Sequence, residues 1–110
     1  DNGSAMLTGV VVARADFVAE HPAAVEQFLT SYAESVDWVD DNTADAAALI
    51  GGYDIVDAAV AEKALPYCNI VCITGTEMMD MLSGYLSVLW EQSPESVGGA
   101  MPNDDFYYGA

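Results

Sequence analysis

The sequence predicts an α/β fold dominated by helix, with one or two short strands and four to five helices, in a single domain or domain fragment spanning residues 1–110. Two short β-branched runs without helical periodicity supply the strands. Several stretches with apolar residues at helical spacing, separated by proline, glycine and asparagine, supply the helices. Hydrophobic residues make up 53% of the chain, enough to sustain a folded core and to exclude a disordered tail.

The first run, residues 7–13, reads Leu-Thr-Gly-Val-Val-Val-Ala and suits a strand buried on both faces of a parallel sheet. A short helical turn follows over residues 16–20. Pro22 then opens the main helix, because its ring pre-sets the backbone angle of the first helical position. Val25, Phe28, Leu29, Tyr32, Val36 and Val39 recur on one face, while Glu26, Glu34, Asp37 and Asp40 occupy the other. This helix stops near Asp41-Asn42. Thr43 offers a new N-cap ahead of an alanine run that Gly51-Gly52 terminates. Residues 55–65 form a further helix, stopped by Pro66. The second β-like run, residues 67–73, contains the consecutive Ile70, Val71, Cys72 and Ile73. Thr74-Gly75-Thr76-Glu77 has capping-box spacing, so a long helix follows, with Met78, Leu82, Tyr85, Leu86 and Leu89 as its core stripe, ending before Pro94. A turn-rich loop through Gly98-Gly99 and Pro102 leads to Phe106-Tyr107-Tyr108, three aromatics that need a surface to dock on.

Charge narrows the function classes. Eighteen acidic residues stand against Arg14 and Lys63, a formal net charge of −16. Such a chain repels a phosphate backbone, and without a polybasic stretch it has nothing to hold anionic headgroups. Nucleic acid is therefore excluded as a partner. No apolar run approaches the roughly 20 residues of a membrane span, and the first residues have neither a basic region nor an apolar signal core.

Catalytic and metal chemistry find no footing. The chain has a single histidine and none of the nucleophile-elbow, phosphate-loop, His-Glu-x-x-His or Cys-x-x-Cys patterns, so no catalytic residue and no cofactor is assigned. His21 precedes a helix-opening proline, where a capping or exposed-turn role is expected. Asp40-Asp41 and Asp104-Asp105 lack the alternating oxygen ligands and bend glycine of a calcium loop, and no metal site is assigned. Cys68 and Cys72, on a strand, would stand about 13 Å apart on one side, too far for a disulfide, and read as buried structural thiols. Met78, Met79 and Met81 read as core and helix surface rather than a binding patch.

The order of features resembles the end of the taurine/nitrate/sulfonate-type family of periplasmic-binding-like proteins, the solute receptors of ABC importers. The likeness covers nearly all the chain. It runs through Val10-Val11-Val12-Ala13-Arg14 and Asp16-Phe17, Glu20-His21-Pro22, Val25-x-x-Phe28-Leu29, Trp38 and Asn42. A second block is Ala64-Leu65-Pro66, Cys68-Asn69-Ile70-Val71, Gly75, Glu77-Met78, Gly98-Gly99-x-x-Pro102 and Phe106-Tyr107-Tyr108, which resembles the closing stretch of lipoprotein receptors from Gram-positive gut bacteria. Ala100, where the family pattern has a cation, and the extreme acidity depart from it.

The resemblance implies a fragment: the C-terminal portion of the first lobe of a two-lobe receptor, with the second lobe and a lipid-anchored or signal-bearing N-terminus upstream. It implies a small organic or anionic solute bound in the interlobe cleft, an ABC permease as partner, and a location on the outer face of the cytoplasmic membrane or in the periplasm. Residues nearest the hinge, Asn2, Ser4 and Met6, are the expected cleft contacts. Helix faces deprived of the rest of a lobe predict self-association or strand exchange between copies. The alternative reading is a freestanding acidic helical module that docks on a protein partner through its long helix or aromatic tail.

Overall fold

The computed structural model describes residues 5–110. Five α-helices form among them: α1 (Ala15–Glu20), α2 (Pro22–Asp41), α3 (Thr43–Gly52), α4 (Ala58–Ala64) and α5 (Gly75–Gln92). Three 3₁₀ turns follow α4 and α5, at Leu65–Tyr67, Pro94–Val97 and Asp104–Phe106. No strand forms among the described residues, which corrects the α/β expectation: the described fold is all helical. Residues 7–13 and 69–73 lie outside any helix, and no backbone hydrogen bond ties either run to another segment among the described residues. A β-branched sequence favours an extended backbone, but a strand exists only when a neighbour supplies the ladder of N–H and C=O partners.

The chain divides into two compact units: Ala13–Cys72, and Ile73–Ala110 with the residues up to Val12. In the first, Pro22 stands at the first position of α2 as its fixed φ dictates. Asn42 both closes α2 and opens α3. Its backbone N–H and side-chain amide both donate to the Trp38 carbonyl, at 2.9 and 3.0 Å, while its own carbonyl accepts from Ala46 N–H at 2.8 Å. The cap thus falls one residue before Thr43, whose hydroxyl makes no capping bond.

The α3–α4 pair is the best-buried part of this unit. Ala46 and Ala47 on α3 and Ala61 on α4 are each no more than 3% exposed. Small side chains let the two backbones approach closely. Gly51 marks the limit: a Cβ placed there would stand 2.7 Å from the Ala58 Cβ.

The turn between them begins with a Schellman cap. Ile55 N–H donates to the Ile50 carbonyl and Asp54 N–H to the Gly51 carbonyl, both at 3.1 Å, with Asp54 in the left-handed region at φ 55°. The sequence offers two glycines for this turn, yet the left-handed position falls on aspartate. Asp57 then caps α4, its Oδ1 accepting from Ala59 N–H at 3.0 Å and Val60 N–H at 3.4 Å. The α4 helix therefore starts three residues later than Ile55, and its last turn tightens into Leu65–Tyr67 at Pro66.

In the second unit Thr74 has the extended backbone of an N-cap, but its hydroxyl makes no bond, so the capping box at Thr74-x-x-Glu77 does not close. The helix α5 ends at Gln92, two residues before Pro94. Ser96 folds back over that end, its hydroxyl 3.1 Å from the Leu89 carbonyl and 2.7 Å from that of Ser93. Gly98 and Gly99 both take positive φ, 80° and 85°, and Gly99 N–H reaches the Pro94 carbonyl at 2.8 Å. The tail then returns to the start of α5, where the Gly109 carbonyl lies 3.6 Å from the Cβ position of Gly75. Of the three tail aromatics only Tyr107 docks, 6% exposed, with Phe106 edge-on to it at 5.2 Å.

Candidate functional site

Of the expected cleft residues only Met6 is among those described. Asn2 and Ser4 lie outside the described residues, and Met6 is 79% exposed. A concavity lies at the α3–α4 turn, bordered by Gly51, Gly52, Asp54, Asp57 and Ala58, with a volume of about 480 Å³. That volume is in the range of ligand pockets, roughly 300–1,000 Å³. Its chemistry is not: no polar or charged residue among those described is buried, so no fixed donor or acceptor would orient a bound molecule. The Asp57 carboxylate is already engaged as the α4 cap, and two acids without a cation disfavour an anionic solute there.

A smaller depression, about 270 Å³, is lined by Arg14, Asp16, Phe17 and Glu20. Its guanidinium is held by Asp16 in a two-pronged contact, Nη2 to Oδ2 at 2.9 Å and Nε to Oδ1 at 3.2 Å. Both side chains are mostly solvent-exposed, and such pairs contribute little.

His21 sits between α1 and α2 as expected for a turn residue, but its ring makes no capping bond and lies against Phe17, centroids 4.9 Å apart. Cys68 is exposed and Cys72 half-buried, both free thiols, so the expectation of buried structural cysteines is corrected for Cys68. Among the described residues no three His, Cys, Asp or Glu side chains converge as a cation site. None of the helices is long and apolar enough to cross a membrane.

What the described residues do present is uncovered apolar surface. Only Val36, Ala46, Ala47, Ala61 and Tyr107 are buried, three of them alanines, against eighteen large apolar side chains that remain exposed. On α2, Phe28 and Tyr32 stack one turn apart, centroids 5.6 Å, at the rim of the Val25-Leu29-Val36 face. On α5, none of the expected core stripe is buried; every residue from 81 to 89 is only half-covered. The apolar stripe of this amphipathic helix is thus only partly covered by its own chain.

Total area supports the same conclusion. Two separately compact bodies sharing 110 residues would together expose about 7,000 Å² by the usual scaling. The chain exposes 8191 Å².

A scan of protein-family models and searches of curated proteins and of solved structures found no match to this chain.

Proposed function

We propose that this chain is a closing helical segment of the solute-binding component of an ABC importer, and that it acts by packing against the rest of that receptor rather than by catalysis. The observation that carries the reading is the imbalance between five buried residues and eighteen exposed large apolar ones. Apolar area left in water is worth roughly 25 cal/mol per Å² on burial. A patchwork of this extent marks a surface made to be covered by protein. The sequence resemblance names the covering body: a receptor whose recognition of a small organic or anionic solute resides in other residues. The expected permease partner and the location outside the cytoplasmic membrane follow from that reading.

The gene supplies the test. The reading expects receptor sequence in frame with this segment and permease and ATPase genes beside it. Joined to that sequence, the segment should restore a compact, solute-binding receptor, whereas deletion or disruption of its apolar helix faces should abolish binding. A coding sequence with no receptor portion and no transport neighbours contradicts it.

The second reading, a freestanding acidic helical interaction module, is favoured by one observation: the α3–α4 pair packs tightly on itself, with Ala46, Ala47 and Ala61 buried. It would gain if the chain alone bound a protein partner tightly with no receptor sequence attached.

A further inference from the structure

The eighteen acidic residues are unevenly spaced. The two longest uncharged stretches are residues 64–76, between Lys63 and Glu77, and residues 2–13, between Asp1 and Arg14. These stretches contain the two β-branched runs that no ladder covers. In the first run Val10, Val11 and Val12 are 61%, 59% and 79% exposed, and residues 7–13 make no backbone hydrogen bond among the described residues. A neutral, proline-free, β-branched segment with free amides and carbonyls along both edges is a template for strand pairing. Charge normally blunts such an edge, and this segment has none.

We infer that residues 7–13 are a strand-pairing segment through which copies of this chain associate. The occupant is a second copy because the run is complementary to itself. Antiparallel pairing about Val11 places valines opposite valines on both faces, and no charge meets a like charge within the ladder. Because both edges of the segment are unpaired among the described residues, pairing adds copies on either side and does not stop at a dimer. The remaining acids oppose the approach of two chains, each of net charge −16, through a field that salt shortens to about 8 Å at physiological ionic strength. Association therefore strengthens with salt. The inference is independent of the receptor reading, and failure of either leaves the other standing.

The test uses the whole chain in reducing buffer with Cys68→Ser, so that a disulfide between exposed thiols is not mistaken for pairing. Light scattering and amide infrared spectra are recorded against concentration at low and high salt. The expected result is a rise in mass accompanied by an intermolecular β-band, promoted by salt. Val11→Lys and Val11→Pro should raise the midpoint concentration by about tenfold or more, and Val11→Ile should leave it near that of the parent. Helix content at low concentration, read by circular dichroism, confirms that these exposed positions leave the monomer intact. A strict monomer at all concentrations, association without a β-band, or unchanged association in Val11→Lys overturns the inference. So does association abolished by Val71→Lys alone.

Discussion

Adjacent glycines at the end of α3 make opposite predictions from their surroundings. A Cβ at Gly51 would stand 2.7 Å from the Ala58 Cβ, 3.0 Å from its nitrogen and 3.2 Å from its Cα; one at Gly52 meets nothing within 4 Å. Alanine in a helix is favoured over glycine by about 0.8–1 kcal/mol. Gly52→Ala should gain much of that, about 0.5–1 kcal/mol, since it touches nothing. Gly51→Ala gains the same term but must push α4 away. Ala58 has no rotamer with which to yield, and ordinary carbon contacts need about 3.5–4.0 Å. Overpacking of this kind costs about 1–3 kcal/mol. Net, Gly51→Ala should lose up to about 2 kcal/mol while its neighbour gains, a gap of about 1–3 kcal/mol between the two variants. Ala58→Gly in the Gly51→Ala background should recover part of the loss, because it removes the nearest of the three atoms but leaves the backbone pair. Urea unfolding followed by far-ultraviolet circular dichroism reads all four proteins. Equal stabilisation by Gly51→Ala and Gly52→Ala would refute the close packing of α3 on α4.

Three further outcomes follow from local geometry. Asp54→Gly should stabilise the chain by about 0.5–1 kcal/mol in thermal unfolding, because Asp54 occupies the left-handed position of the Schellman cap without a glycine's freedom. Asp57→Ala should cost about 1 kcal/mol by leaving the first amides of α4 uncapped, and Asp57→Asn should retain most of the stability. The Tyr107 hydroxyl is pushed above its usual value near 10 by burial, with the Asp104 carboxylate adding to the rise. The unfolded chain therefore loses this proton first, so the stability of the docked tail is intact below about pH 10 and falls as pH rises through the folded value. A pH titration of unfolding should show that alkaline loss, and Tyr107→Phe should remove its Tyr107 component while leaving stability at neutral pH nearly unchanged.

The helices were legible where a residue changes what the backbone can do. Pro22 and Pro94 bracket α2 and α5, and Gly98-Gly99 supply the positive φ of the turn after α5. Caps were harder, because the side-chain type permits a bond without enforcing it. Thr43 and Thr74 had the right chemistry yet make no capping bond, whereas Asp57 does. The strands misled for a different reason. Val10-Val11-Val12 and Ile70-Val71 show β preference in sequence, but the ladder depends on a partner the preference does not name. The tight α3–α4 contact left a faint signal, since it rests on Ala46, Ala47, Gly51 and Ala61, residues too small to stand out in a search for large apolar stripes. Of the expected site, Met6 is placed in solvent and Asn2 and Ser4 fall outside the described residues. The amphipathic pattern placed Met78, Leu82, Tyr85, Leu86 and Leu89 on one face of α5 but not what covers it: the stripe expected in the core has no buried member.

The central claim is that this chain leaves eighteen large apolar side chains exposed for another polypeptide to cover. The heat-capacity change on unfolding measures that most directly, because it scales with the apolar area a fold hides. A fully packed chain of 110 residues unfolds with a change of roughly 1.3–1.6 kcal/mol/K. Against about 16,800 Å² for the unfolded chain and about 5,800 Å² for a fully packed one of this mass, the 8191 Å² exposed here leaves about four-fifths of the usual area hidden, so differential scanning calorimetry of the dilute monomer should give about four-fifths of that value or less. A full-sized value, from a sharp two-state transition of the monomer, would contradict the account.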